Sequence, residues 1–152
     1  MSEALIRFLA SFLIWLMFGG LLALWIFDGR VKKEQALHAF VVTLLAWVIT
    51  QMLKSLLPTT RPFLLNGEPS LTLLAHNDGS FPSSHSAVAF SLATALWLHN
   101  KRLGFFYFLA AFLVGLGRVL ANVHYLLDIV VGGLLGALVA VVINRLHPKL
   151  DF

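Results

Sequence analysis

The chain has 152 residues, of which 59% are hydrophobic and only 12% are charged, about half the charged share of a soluble domain. This composition excludes an ordinary soluble protein and indicates an integral membrane protein with one domain, residues 1–152. The absence of cysteine excludes disulfides and thiolate metal sites. The net charge of +4 comes from scattered cations without a basic run, so nucleic acid is not an expected partner.

Hydropathy predicts an all-α fold, a polytopic bundle of about five transmembrane helices of about 20 apolar residues each. The predicted spans cover residues 5–27, 36–57, 84–99, 103–123 and 126–146, and the third of them is short. The first segment is too long for a cleavable signal peptide, and no cleavage site follows it, so we expect it to remain as a span.

The one long connection, residues 63–81, joins the second and third spans. Gly67, Pro69 and Gly79 interrupt regular structure there, and five leucines make the segment apolar. We therefore predict an interfacial loop or short helices in the headgroup region. Two roles remain open: a lid or wall for lipid entry, or a loop packed on its own helices.

The balance of Lys and Arg in the connecting segments predicts the orientation in the membrane. Seven cations lie on one side, namely Arg30, Lys32, Lys33, Lys101, Arg102, Arg145 and Lys149, and four on the other, namely Arg7, Lys54, Arg61 and Arg118. The first side is therefore predicted to be cytoplasmic and the N-terminus to lie outside. Three polar clusters at helix ends then share the outer face.

The first cluster contains Lys54 and Arg61, seven residues apart, with Pro58 between them. Proline removes a helical hydrogen bond, so we expect the second span to kink or end there. Snorkelling from a helix end to the interface would explain either cation alone.

The second cluster, Pro82-Ser83-Ser84-His85, opens the third span. Serine is a favoured N-cap, and a helix N-terminus readily binds anions. An ordinary serine cap would explain Ser83 but leaves His85 without a role.

The third cluster contains Arg118, then His124 and Asp128 four residues apart, with Asn122 as a candidate for ending the fourth helix. Residues four apart share a helix face, so the Asp128 carboxylate can fix the His124 tautomer. The alternative is a buried histidine–aspartate pair with a purely structural role.

Together the clusters suggest a site that binds and attacks a phosphate. The cations neutralise phosphate oxygens, one histidine attacks phosphorus, and the other protonates the leaving oxygen. Since Asp128 supports His124, His124 is the better nucleophile and His85 the general acid. The two histidines and Asp128 could instead bind a metal, but three nearby cations would repel a divalent ion, so we predict no metal or other cofactor.

The clusters resemble the tripartite signature of the type-2 phosphatidic acid phosphatase superfamily, which is Lys-x6-Arg-Pro, Pro-Ser-Gly-His and Ser-Arg-x5-His-x3-Asp. The resemblance implies a metal-independent phosphatase that forms a phosphohistidine. It assigns His124 as nucleophile, Asp128 as its partner and His85 as acid. The phosphate ligands that it implies are Lys54, Arg61, Ser83 and Arg118, to which the hydroxyl of Ser84 is a candidate addition.

The chain departs from this signature at two positions. Ser84 stands where the family usually has glycine, and its side chain would either crowd the phosphate or add a hydroxyl donor. Gly117 stands where the family usually has serine, so one phosphate hydrogen bond is expected to be missing. Membrane members also commonly have six spans, one more than predicted here.

An outward-facing site in the membrane suggests a lipid phosphate or pyrophosphate as substrate. The resemblance, in a small chain of bacterial type, implies the cytoplasmic (inner) membrane with the active site facing the periplasm, and undecaprenyl pyrophosphate as the leading substrate. Phosphatidylglycerophosphate and phosphatidic acid are alternatives, and phosphotransfer to another lipid would use the same intermediate. The non-enzyme alternative is a small anion-binding or channel-type membrane protein.

Gly132 and Gly136 form a Gly-x-x-x-Gly pair in the fifth span. Such pairs allow two helices to approach closely. We expect this pair to serve packing within the chain, and a homodimer contact is the alternative.

Overall fold

A computed structural model describes residues 1–27, 33–73 and 78–146. The regular structure of these residues is helical. The helices are α1 (Glu3–Arg7), a π-helical turn (Phe8–Phe12), α2 (Leu13–Phe27), α3 (Lys33–Leu56), α4 (Pro62–Asn66), α5 (Ser84–His99), α6 (Lys101–Leu120) and α7 (Leu126–Leu146).

Within the described residues, four helical stretches are long and apolar enough to cross a membrane: Glu3–Ile26, Gln35–Leu56, Lys101–Leu120 and Leu126–Leu146. The third predicted span forms helix α5, which has 16 residues and is the short one, as expected. At about 1.5 Å per residue, α5 is about 24 Å long. The prediction of an all-α bundle with about five spans is confirmed.

Helix α5 forms the centre of the bundle and packs against α3, α6 and α7. Small residues dominate its sequence, and Ala89, Leu92 and Ala93 are fully buried. The main core joins this helix to Ile14 and Met17 of α2 and to neighbouring residues of α3 and α6. The small side chains let three neighbours approach one short helix.

Large apolar side chains cover the outside of the bundle. Phe112 on α6 and Leu134 on α7 are exposed, as are Trp15 and Leu16 on α2. Together, α1, the π-helical turn and α2 form one continuous stretch, Glu3–Ile26, which we call the first helix. In water such a surface would drive aggregation, but in a bilayer it faces hydrocarbon. The outer surface therefore fits a membrane.

The helix ends that carry the three clusters meet at one end of the bundle. The Ser83 amide, at the start of α5, donates to the carbonyl of Asp128 in the first turn of α7 at 3.0 Å. Arg61, just before α4, reaches the carbonyl of Val123, which lies between α6 and α7. The predicted convergence of the clusters is therefore present in the fold.

Two predicted helix ends are also present. Helix α3 ends at Leu56, two residues before Pro58. Helix α6 ends at Leu120, and Asn122 follows with a left-handed φ of 61°. Asparagine tolerates this conformation better than most residues and often ends a helix in this way.

The described part of the connection between α3 and α5 packs on the turn between α6 and α7. The amides of Phe63 and Leu71 donate to the carbonyls of Asn122 and Ala121 at 3.1 and 3.0 Å. The side chains of Phe63 and Leu71 contact a small core that includes Ala121. Of the two roles left open, the described part supports a packed loop; residues 74–77 lie outside the described residues.

Gly132 and Gly136 lie against α5 of the same chain. A Cβ atom on Gly136 would be 2.1 Å from the Ala87 carbonyl oxygen, and one on Gly132 would be 2.5 Å from the Ser83 carbonyl oxygen. Both neighbours are backbone atoms, which cannot move without shifting a helix. The pair thus serves packing within the chain, as expected.

Replacing Gly136 with alanine should force α5 and α7 apart. We expect Gly136→Ala to lower the free energy of unfolding by about 1–3 kcal/mol, the usual cost of overpacking. Gly19→Ala is the matched control, because a Cβ there meets nothing within 4 Å. Thermal unfolding in detergent measures both variants, and equal midpoints for the two would contradict the close packing of α5 on α7.

Candidate active site

A cavity of about 170 Å³ lies where the clusters meet. It is lined by Trp47, Gln51, Lys54, Arg61, Asp78, Ser84, His85, Arg118 and His124. Six of the eight predicted site residues therefore share one cavity. The other two, Ser83 and Asp128, support this lining through the contacts described below.

The three cations are buried although they are charged. Lys54, Arg61 and Arg118 are only 7%, 1% and 2% exposed. A buried charge without polar partners costs several kcal/mol, so each cation requires oxygen atoms around it. The sources of these oxygens explain how the site is built.

Arg61 is held mainly by backbone carbonyls. Its Nε donates to the Asp78 carbonyl at 3.0 Å, its Nη1 to the Val123 carbonyl at 2.9 Å, and its Nη2 to the Gly79 carbonyl at 3.2 Å. This guanidinium therefore fastens the loop before α5 to the turn between α6 and α7.

Lys54 extends from the end of α3 to the same loop. Its Nζ donates to the Gly79 carbonyl at 2.8 Å and to Asp78 Oδ2 at 3.0 Å. Lys54 and Arg61 thus share both the Gly79 carbonyl and the Asp78 carboxylate, which brings the two charges together.

Arg118 obtains a partner from the N-terminal helix. Its Nη1 donates to the carbonyl of Ala10 at 3.1 Å, and Ala10 lies in the π-helical turn. A π-helical turn changes the local hydrogen-bonding register, and such turns occur frequently at functional sites. The first helix is therefore part of the site.

This contact explains why residue 117 is glycine. A Cβ on Gly117 would be 2.7 Å from Leu9 Cβ and 2.8 Å from the backbone nitrogen of Ala10. A serine at this position would push the first helix away from Arg118. Gly117 is the position at which the sequence predicts a missing phosphate hydrogen bond. In the structure the first helix packs against Gly117 and leaves no space for a serine side chain.

His124 and Asp128 form the predicted pair across the start of α7. His124 Nδ1 lies 3.3 Å from Asp128 Oδ2, which also accepts the Tyr125 amide at 2.9 Å. Arg61 Nη1 lies 3.4 Å from His124 Nε2. With a carboxylate at Nδ1 and a donor at Nε2, the favoured tautomer carries its proton on Nδ1.

His124 lies in the turn between α6 and α7. Burial lowers the pKa of His124, and the charges of Arg118, Arg61 and Lys54 lower it further, against the opposing effect of Asp128. The imidazole therefore stays neutral near pH 7 and keeps a lone pair on Nε2, as a nucleophile requires.

The start of α5 follows the predicted capping pattern. Ser83 Oγ accepts the Ser86 amide at 3.4 Å and the Ser86 hydroxyl at 3.3 Å. Ser84 Oγ donates to Gln51 Oε1 on α3 at 2.9 Å. His85, one residue further, lines the cavity beside Ser84.

Asp78 is a site residue that the sequence analysis missed. Its Oδ2 lies 3.0 Å from Lys54 Nζ and its Oδ1 lies 2.8 Å from Arg61 Nη2. Partial burial alone would raise the pKa of Asp78, but the hydrogen bonds and charges of Lys54 and Arg61 lower it to about 2. A signal existed, since Asp78 is one of only seven acidic residues and precedes the Pro82-Ser83-Ser84-His85 cluster.

An apolar groove joins the cavity from the side of the bundle. It has a volume of about 500 Å³ and is lined by residues of α2, α3 and α5, including Trp15, Phe40 and Val88. Trp47, Ser84 and His85 line both spaces. A second apolar space of about 330 Å³ shares Phe18 and Phe40 with the groove and extends to Lys33. A lipid-entry wall is one of the two roles left open for the 63–81 connection, but the lining of this groove comes from α2, α3 and α5.

The sequence resembles characterised bacterial membrane proteins. The bacitracin transport permease protein BcrC of Bacillus licheniformis is 29% identical over all of this chain and 75% of its own length. The undecaprenyl-diphosphatase BcrC of Bacillus subtilis is 29% identical over 81% of this chain, which spans 61% of that protein. The crystal structure of Aquifex aeolicus LpxE superposes with a TM-score of 0.74 and 31% identity, covering 94% of this chain and 83% of that one.

A family model also matches most of the chain. The PAP2 superfamily model matches residues 35–152, a range that contains all three clusters. The helices long enough to span a membrane, the convergent clusters and this match agree with one another. The chain is an integral membrane protein and belongs to the PAP2 superfamily.

Proposed function

We propose that this protein is a metal-independent lipid phosphatase that hydrolyses undecaprenyl pyrophosphate to undecaprenyl phosphate through a phosphohistidine. The observation that carries the proposal is the junction at His85 of a cation-lined cavity with a membrane-facing apolar groove. Such a junction suits a molecule with a phosphate at one end and a hydrocarbon chain at the other.

In the first step, His124 Nε2 attacks the terminal phosphorus in line with the bond to the leaving oxygen. The N–P bond forms as the P–O bond breaks, and His85 donates a proton to the leaving lipid phosphate. Lys54, Arg61 and Arg118 hold the phosphoryl oxygens and stabilise the charge that develops on them. Asp128 accepts a hydrogen bond from the protonated Nδ1 and so stabilises the positive charge that forms on the imidazole.

In the second step, water attacks the phosphohistidine. His85, now without its proton, takes one from the water as the new P–O bond forms and the N–P bond breaks. Inorganic phosphate leaves, and both histidines return to their starting states. The proton that His85 gives up in the first step is thus regained from water in the second.

The combined length of the two apolar spaces supports a substrate with one long hydrocarbon chain. Along α3 the two apolar spaces extend from Lys33 to Trp47, about 21 Å at 1.5 Å per residue. The hydrocarbon core of a bilayer is about 30 Å thick, so the tail of an ordinary phospholipid reaches only about 15 Å, to the midplane. A longer isoprenoid chain would use the whole groove, and the B. subtilis relative carries the name undecaprenyl-diphosphatase.

The site also accommodates the chemistry of the alternatives. Phosphatidylglycerophosphate and phosphatidic acid would present the same terminal phosphate, and a lipid hydroxyl in place of water would make the protein a phosphotransferase. A non-enzymatic anion-binding or channel-type protein needs the cations but not the His124–Asp128 pair. Its relatives are bacterial proteins, so the protein would sit in a bacterial inner membrane. The charge balance of its connections would direct the site to the periplasm.

A phosphate-release assay in detergent with EDTA present tests substrate and metal independence together. We expect undecaprenyl pyrophosphate to be hydrolysed with a higher kcat/KM than phosphatidylglycerophosphate or phosphatidic acid. EDTA should have no effect, because the protein's own cations neutralise the phosphate. Transfer of the phosphoryl group to an added acceptor lipid, without release of inorganic phosphate, would indicate a transferase, and loss of activity in EDTA would contradict the mechanism.

His124→Ala should abolish turnover because it removes the nucleophile. We expect kcat to fall by at least about 10⁴-fold, a loss comparable to removal of a nucleophile elsewhere. The thermal unfolding midpoint should remain near that of the parent protein. A folded His124→Ala protein with full activity would rule out the phosphohistidine.

Thr43→Trp should block the groove without touching the cavity. Thr43 lines the groove but not the cavity, so we expect KM for a long-chain substrate to rise about ten-fold, as expected for roughly two displaced methylenes. The rate with a short soluble phosphate ester should be unchanged. Leu138→Trp, on the exposed face of α7, is the matched control. Equal KM changes for both substrates would mean that the groove does not hold the chain.

A further inference from the structure

The carboxylate of Asp78 contacts two of the three cations proposed to bind phosphate. Its two oxygens lie 3.0 Å from Lys54 Nζ and 2.8 Å from Arg61 Nη2. These are ordinary charge-assisted distances, the same that phosphate oxygens adopt with lysine and arginine. The carboxylate and a bound phosphate would therefore use the same donors.

The backbone around Asp78 is fixed independently of its side chain. Arg61 Nε donates to the Asp78 carbonyl, and Lys54 Nζ donates to that of Gly79. The Ser80 amide donates to the Thr59 carbonyl at 3.0 Å, and their two hydroxyls lie 2.9 Å apart. The Asp78 side chain, in contrast, is 47% exposed. It can rotate into solvent while the loop keeps its place.

The charges at the shared donors favour such a rotation. Asp78 neutralises one of the two positive charges of Lys54 and Arg61. A terminal phosphate carries about −1.5 to −2 charges at pH 7. With Asp78 in place, these two donors offer a phosphate dianion a net charge of only +1. With Asp78 turned outward, their two positive charges balance the dianion.

We propose that Asp78 competes with the substrate phosphate for Lys54 and Arg61, and so keeps singly charged phosphodiester headgroups out of the site. The inference rests on the proposed function, because it takes the cavity to be the phosphate site. Competition from Asp78 lowers the affinity of the site for every anion by the same factor. A dianionic terminal phosphate or a pyrophosphate has enough intrinsic attraction to displace Asp78, whereas a phosphodiester, with one negative charge, gains little over the carboxylate that it replaces.

The exclusion of phosphodiester headgroups matters for an active site inside a membrane. The apolar groove opens to the bilayer, where phosphodiester lipids are the bulk solvent and any substrate is dilute. Without a competing carboxylate, the three cations would bind those headgroups. A tethered carboxylate of matching charge prevents this without blocking a more highly charged group.

A purely positioning role for Asp78 predicts the opposite result. If the carboxylate served only to orient Lys54 and Arg61, its removal would loosen both cations and weaken anion binding. The sign of the change in affinity therefore separates the two roles.

The test uses Asp78→Asn in the full chain, with inorganic phosphate and phosphatidylglycerol micelles as probes. We expect the variant to bind inorganic phosphate about five-fold tighter, in line with loss of the partly exposed ion pairs that Asp78 makes with Lys54 and Arg61. Phosphatidylglycerol should inhibit the variant at concentrations that leave the parent protein unaffected. Phosphate binding is measured by calorimetry, which needs no turnover.

Glu68→Gln is the matched control. Glu68 is exposed in the same connection and does not line the cavity, so this variant makes the same change in net charge away from the cations. Weaker or unchanged phosphate binding by Asp78→Asn, or an equal gain by Glu68→Gln, would overturn the inference while leaving the phosphatase intact. A parent protein that neither binds phosphate nor hydrolyses lipid phosphates would instead overturn the proposed function, and this inference with it.

Discussion

The burial of three cations at one end of an apolar bundle is the constraint on which the rest of the structure depends. Lys54, Arg61 and Arg118 each require oxygen partners, and no single helix can supply them. The partners come from the loop before α5, from the turn between α6 and α7, and from the π-helical turn of the first helix. This electrostatic requirement brings these three separate parts of the chain to the same end of the bundle.

The close packing of α5 on α7 gives the site its geometry. The glycines of α7 allow its backbone to touch that of α5, and the Ser83 amide bonds to the Asp128 carbonyl across this contact. The helix start that carries His85 is thereby fixed to the helix start that supports His124. The two histidines, for which we propose complementary roles, are held by rigid elements, which would limit the reorganisation needed during a reaction.

Pro58 and Asn122 predicted two helix ends because their conformational preferences act locally, and the order of the spans predicted that the three clusters share one face. The partners of the buried cations were less predictable. The carbonyls of Ala10 and Gly79 belong to the backbone and leave no mark in the residue types. Asp78 lies in an irregular loop without helical periodicity. The groove escaped prediction for a different reason: groove-lining and lipid-facing residues are equally apolar, so hydropathy does not separate them.

The hydrogen bond between Arg118 and the Ala10 carbonyl affects how well the three clusters alone identify related proteins with the same function. The family model begins at residue 35, so the region that it matches omits a carbonyl that holds one of the site's cations. The N-terminal helix is consequently a structural component of the site and more than an anchor. A related sequence that keeps every motif residue but carries a different first helix would need another way to satisfy this arginine. Transfer of function between members is therefore safest where that helix, and a small residue facing it, are retained too.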